Sequence, residues 1–86
     1  MTSYTIMFAA RVEKALLALP REVQVRIFEQ LQALAQNPFP VGSKKLKNRD
    51  GYRVRVGDYR IIYEVDTKGR LIIIVVVGHR KDIYQQ

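Results

Sequence analysis

Two alternating runs meet at Gly57-Asp58, and that junction constrains the fold more than any other stretch of the chain. Before it, Tyr52, Val54 and Val56 alternate with Arg53 and Arg55; after it, Tyr59, Ile61, Tyr63 and Val65 alternate with Arg60, Ile62 and Glu64. Alternation of this kind marks strands with one buried face, and a Gly-Asp connection marks a hairpin closed by a type II′ turn with Gly57 at positive φ. The turn length fixes the register. Val56 pairs with Tyr59, so Arg55 lies directly opposite Arg60, and Arg53 joins them on the same face. Like charges set directly opposite one another destabilise a sheet. Guanidinium is planar and matches phosphate oxygens bidentately, so the trio predicts an anion site where a scattered basic surface would need only water. Tyr52, Tyr59 and Tyr63 alternate on the other face and are assigned to the core.

The rest of the chain supplies a frame for this hairpin. Tyr4, Ile6 and Phe8 share one face of a first strand. Val12, Ala15, Leu16 and Leu19 recur at helical spacing, which predicts a helix over Ala10–Leu19. Pro20 suits the first position of a second helix running to Gln36, with Val23, Ile27, Phe28, Leu31, Leu34 and Ala35 inward. Asn37-Pro38-Phe39-Pro40 stops it. Asp66-Thr67-Lys68-Gly69 is a second turn, and Arg70–Val77 is a strand apolar on both faces, hence central. Gly78 to Gln86 is a short polar tail. The prediction is one α+β domain over residues 1–86: an N-terminal strand, a two-helix hairpin and a three-stranded antiparallel meander, in the order β-α-α-β-β-β.

Charge and composition exclude several function classes. Fifteen Lys and Arg against eight Asp and Glu give a net charge of +7. Between Lys44 and Arg60, seven cations stand against Asp50 and Asp58, which is +5 of that total. Such a chain is drawn to a polyanion. There is no cysteine, which excludes a disulfide scaffold, a thiolate zinc site and a cysteine nucleophile, and which fits a cytoplasmic home. The single histidine, His79, cannot make a catalytic zinc cage, so no metal and no cofactor is expected. The longest apolar run, Leu71–Val77, is seven residues, far short of a membrane span.

Beyond the arginine trio, a few residues stand out. His79 follows the central strand beside Arg80 and Lys81, and a neutral imidazole next to a phosphate can act as a base. Tyr84 reaches the same region if the tail folds back. Leu17 and Val25 fall off the inward faces of the two helices, either as ordinary exposed apolar residues or as part of a partner surface.

The segments KKLKNRDGYRVRVGDYRIIYEV and IIIVVVGHRKDIY, following a helical hairpin, closely resemble RelE-type toxins of the RelE/ParE superfamily over nearly the whole chain. The resemblance implies a toxin of a type II toxin–antitoxin system that cleaves messenger RNA in the ribosomal A site. It implies a cognate antitoxin, acidic and partly disordered, that wraps the toxin, with operator DNA contacted only through that complex and no membrane involved. Carried over residue by residue, the catalytic set is Arg53, Arg55, Arg60, Arg80 and Tyr84; Tyr84 is the first candidate base, and His79, on its own chemistry and not on the resemblance, the second. Lys44, Lys45, Lys47, Arg49 and Lys81 are assigned to RNA and ribosome contact, and Leu17 and Val25 to the antitoxin. Arg53 and Arg55 stand where well-studied relatives have lysines, and arginine stays protonated at any useful pH, so neither serves as a base. The spacing from Arg80 to Tyr84 is shorter than in some members. Arg60 and Arg80 are expected on the surface, where replacement leaves the fold intact. Three other readings remain: a ParE-like poison of DNA gyrase that cleaves no RNA, a basic nucleic-acid-binding module without catalysis, and an inactive relic kept for complex formation.

Overall fold

The computed structural model describes residues 3–83, with side chains to Lys81. The elements are β1 (Thr5–Phe8), α1 (Ala10–Leu17), α2 (Arg21–Gln36), β2 (Lys44–Lys45), β3 (Tyr52–Val56), β4 (Tyr59–Asp66), β5 (Leu71–His79) and α3 (Arg80–Ile83). They build one five-stranded sheet in the order β1-β5-β4-β3-β2. The antiparallel meander β3-β4-β5 is present as the sequence predicts. Two strand pairings go beyond it: β1 runs parallel to β5, and the two-residue β2 lies antiparallel to β3. The sheet is therefore mixed.

The hairpin register is the one required by a two-residue loop. Val56 pairs with Tyr59 and Arg55 with Arg60. Gly57 has φ +61° and Asp58 is not among the positive-φ residues, which is the type II′ geometry.

α1 and α2 pack on one face of the sheet and bury the core between them and it. Val12 and Leu16 come from α1, and Ile27, Leu31 and Leu34 from α2. The sheet contributes Val54, Val56, Ile61, Tyr63, Ile72, Ile74 and Val77. The i, i+4, i+7 spacing of the α2 residues is what places them on one stripe. α1 stops at Leu17, two residues before the predicted end, because Ala18 is the C-cap and the chain turns toward Pro20. Pro20 precedes α2 as its N-cap, with an extended ψ of 147°, instead of forming its first turn. Ala15 and Phe28, expected inward, are exposed. Each lies roughly 100° around its helix from the buried residue beside it, past the edge of what the sheet covers.

β5 is apolar on both faces for a reason the pairing makes visible. Tyr63 pairs with Ile74 but Ile62 with Val76, so Val75 is an extra residue in β5. This bulge switches the alternation: Ile72 and Ile74 point to the core before it and Val77 after it. The strand continues to His79, and the expected polar tail begins as a single helical turn, α3, packed against β4 and β5.

Tyr63 anchors the chain between α2 and β2. Its hydroxyl donates to the Pro38 carbonyl at 2.7 Å, and burial pushes its phenol up from the ordinary value. The loop Leu46–Gly51 is closed by a hydrogen bond from the Leu46 N–H to the Gly51 carbonyl at 3.0 Å. Gly51 has φ +125°, and a Cβ placed there would sit 3.0 Å from the backbone oxygen of Tyr63. Gly51→Ala is therefore expected to destabilise the fold by about 1–3 kcal/mol, read as a lower urea midpoint at unchanged slope.

Candidate functional site

The helices cover one face of the sheet; the other is assembled by register alone. Alternation on β3 sends Arg53 and Arg55 to this uncovered face, and alternation on β4 sends Arg60 and Ile62 there. Lys44 pairs with Arg53, so it joins the same face, whereas Lys45 pairs with Tyr52 and belongs to the helix side. One cross-sheet row therefore reads Lys44, Arg53, Ile62, Val76, and the next reads Arg55, Arg60, Gly78. The predicted Arg53–Arg55–Arg60 face exists and Lys44 joins it, while Lys45, expected at the RNA, lies on the other side of the sheet.

Arg60 departs from its expected exposure. It is only 3% exposed, where a surface position was expected. β4 is flanked by β3 and β5 along its length, and Arg60 pairs with Arg55 on one side and Gly78 on the other. Ile62, next along the face, is buried as well. Arg55 is exposed and Arg53 half-buried. The cluster therefore grades from a buried guanidinium at the centre to solvated ones at the β3 edge.

The segment after β5 does not bring all its residues to this face. His79 pairs with Tyr59, which alternation puts on the helix side, opposite the arginines. The two rings meet edge to face, with centroids 5.4 Å apart and planes at 80°. His79 Nδ1 accepts a hydrogen bond from the Lys81 N–H at 3.2 Å. Arg80 and Lys81 are exposed, and the Arg80 N–H donates to the Asp58 carbonyl at 2.9 Å, tying α3 to the hairpin turn. Tyr84 lies outside the described residues.

Lys47 and Arg49 are exposed on the loop before β3. Arg49 lines a cleft of about 440 Å³ together with Ala9, Ala10, Arg11 and the bulge residues Val75 and Val76. Arg11 was not singled out from the sequence: a lone cation in the first turn of an amphipathic helix carries no signal of its own. Among the described residues, no three of His, Asp and Glu lie together as a metal centre would need. Among them also, no helix is long and apolar enough to cross a membrane.

On the helix side, Leu17 and Val25 are 73% and 50% exposed, as their off-face positions predict, and Phe28 is 45% exposed between them. Phe28 lines three adjoining depressions, one with Val25 and Leu19, one with Leu16 and Leu17, and one with Ile6 and Leu31. It is the residue the three depressions share, and Arg21, Gln24, Glu13 and Gln32 complete their walls.

Comparison with known proteins agrees with this architecture. The sequence model for the ParE toxin of the type II toxin–antitoxin system parDE matches residues 6–84. Toxin RelE3 of Methanocaldococcus jannaschii is 38% identical over 84 residues, 92% of this chain and 93% of the relative. A chain of the RelE–RelB complex of Pyrococcus horikoshii superposes with a TM-score of 0.78 at 32% identity, covering 91% of this chain and 96% of that one. A chain of the toxin–antitoxin complex RelBE2 of Mycobacterium tuberculosis superposes with a TM-score of 0.81 at 28% identity, covering 93% and 94%. A match that runs through both helices, the arginine hairpin and the GHRKD turn establishes that the chain belongs to the RelE/ParE superfamily as a RelE-type toxin of a type II toxin–antitoxin system.

Proposed function

We propose that this toxin is an endoribonuclease that cuts messenger RNA in the ribosomal A site and so stops translation. The observation that carries the reading is the directly opposed pair Arg55–Arg60, with Arg53 and Lys44 beside it. Planar guanidinium groups gathered on one face match phosphate oxygens bidentately. In the reaction the ribose 2′-hydroxyl loses its proton to a base and attacks the adjacent phosphorus. The bond to the 5′ oxygen breaks, that oxygen takes a proton, and the products are a 2′,3′-cyclic phosphate and a 5′-hydroxyl end. Negative charge builds on the pentavalent phosphorus, and preorganised cations aimed there lower the barrier. Arg53, Arg55, Arg60 and Arg80 supply that charge, which makes the step independent of a metal ion. Tyr84 is assigned the base on the family resemblance. Positioning by the ribosome supplies the rest, since orientation alone is worth roughly 7–11 kcal/mol. Lys44, Lys47, Arg49 and Lys81 hold the RNA backbone and ribosome. The antitoxin covers the groove of Leu17, Val25 and Phe28 with an amphipathic helix, and operator DNA is reached only through that complex.

Primer extension on programmed ribosomes, with naked messenger in parallel, tests the proposal. Cuts confined to the A-site codon and to the ribosome lane are expected. Arg55→Ala and Arg80→Ala, both at exposed positions, should keep the fold and cut roughly 10–100-fold more slowly each. Normal cleavage by both variants would overturn the site. No cut in either lane by folded protein would shift the reading to the gyrase-directed activity, to be assayed on supercoiled DNA.

A further inference from the structure

Helix α3 is four residues long, Arg80–Ile83, and it carries the arginine assigned to the phosphate. A helix this short has no stability of its own. It persists only where its first N–H groups find acceptors and its residues pack. Two such acceptors are in place. The Arg80 N–H reaches the carbonyl of Asp58 in the hairpin turn at 2.9 Å. The next, the Lys81 N–H, reaches Nδ1 of His79 at 3.2 Å. His79 immediately precedes the helix and its side chain accepts from the second helical residue, which is the N-cap arrangement with a ring nitrogen in place of the usual oxygen. The ring is held for this by its edge-to-face contact with Tyr59, the residue paired with it across the sheet.

We infer that His79 is a positioning residue whose Nδ1 caps α3 and thereby fixes the turn that presents Arg80. Its Nδ1 faces the Lys81 N–H and not the arginine face. Its side of the sheet is also the one opposite Arg53, Arg55 and Arg60. The consequence for cleavage rests on the nuclease reading above; the cap itself does not.

The two roles separate by substitution. Asparagine at an N-cap presents an acceptor to the same N–H, and it cannot replace an imidazole as a base. His79→Ala and His79→Asn are compared in two measurements: the cleavage rate on programmed ribosomes, and hydrogen exchange of the Lys81 amide in the free toxin. For the alanine variant, cleavage and Lys81 protection should each fall roughly fivefold, the factor an N-cap loss implies, and the asparagine variant should recover both. Equal loss of cleavage in both variants with Lys81 protection unchanged would overturn the inference in favour of a chemical role. An alanine variant matching the parent in both measurements would overturn it outright. A parent toxin that cuts no message removes the nuclease reading, and the Lys81 amide then decides the cap alone.

Discussion

Arg60→Ala should unfold this toxin far more readily than any other change to the arginine face, with a stability loss of about 2–4 kcal/mol read from urea denaturation. The side chain is almost wholly buried at the middle of the sheet, between Arg55 and Gly78. Truncating it opens a void in a filled site and leaves the groups that met the guanidinium without it. Arg55→Ala provides the contrast. That side chain is exposed, and removing it also relieves the opposition of like charges, so stability should change by less than about 0.5 kcal/mol in either direction. Arg60→Lys keeps a positive charge and most of the stem but loses the planar fork. It should stay folded and cut at least roughly tenfold more slowly. Inactivity of the alanine variant would therefore reflect the fold as much as the chemistry, and the lysine variant is the one that reports on phosphate contact. An alanine variant as stable as the parent would show that Arg60 is not part of what holds the sheet together.

The fate of Arg60 also marks where sequence stops determining structure. The opposition of Arg55 and Arg60 was readable because a two-residue turn sets register locally. The burial of Arg60 is set by tertiary neighbours, and even its other partner in the sheet, Gly78, is 18 residues away and joined to it only by the β4–β5 pairing. The parallel pairing of β1 with β5 is non-local in the same way, and no turn announces it. The bulge at Val75 left no mark because the run from Leu71 to Val77 is apolar throughout, so a shift in alternation changes nothing in the pattern. β2 is two lysines, too short to show a period. His79 was grouped with the arginines by its closeness in sequence to Arg80, yet a strand sends neighbours to opposite faces, and pairing with Tyr59 puts its ring on the helix side. Leu17 and Val25 were legible as off-face residues. Phe28 was not, because helical period gives the direction of a side chain and not the point where its covering neighbours end.

Phe28 carries the other large expected effect. Phe28→Asp should weaken binding of the cognate antitoxin on the order of 1,000-fold, or about 4 kcal/mol, while leaving cleavage unchanged. Three features set this size. The ring is the shared wall of three adjoining depressions, so an apolar side chain from a partner helix cannot enter any of them without meeting it. Aromatic anchors at the centre of a groove dominate interface energetics, and a carboxylate there must be desolvated without a partner. The ring is also 45% exposed in the free toxin, so the substitution costs the fold little by comparison with a core position. α2 lies across the sheet from the arginine face, so the groove proposed for the antitoxin and the face proposed for cleavage are separately mutable. Titration of the antitoxin into the variant gives the affinity, and programmed ribosomes give the activity. Uninhibited cleavage at antitoxin concentrations that silence the parent is the expected result. Normal neutralisation of the variant would mean that the antitoxin acts elsewhere, and blockade of the arginine face itself would then be the place to look.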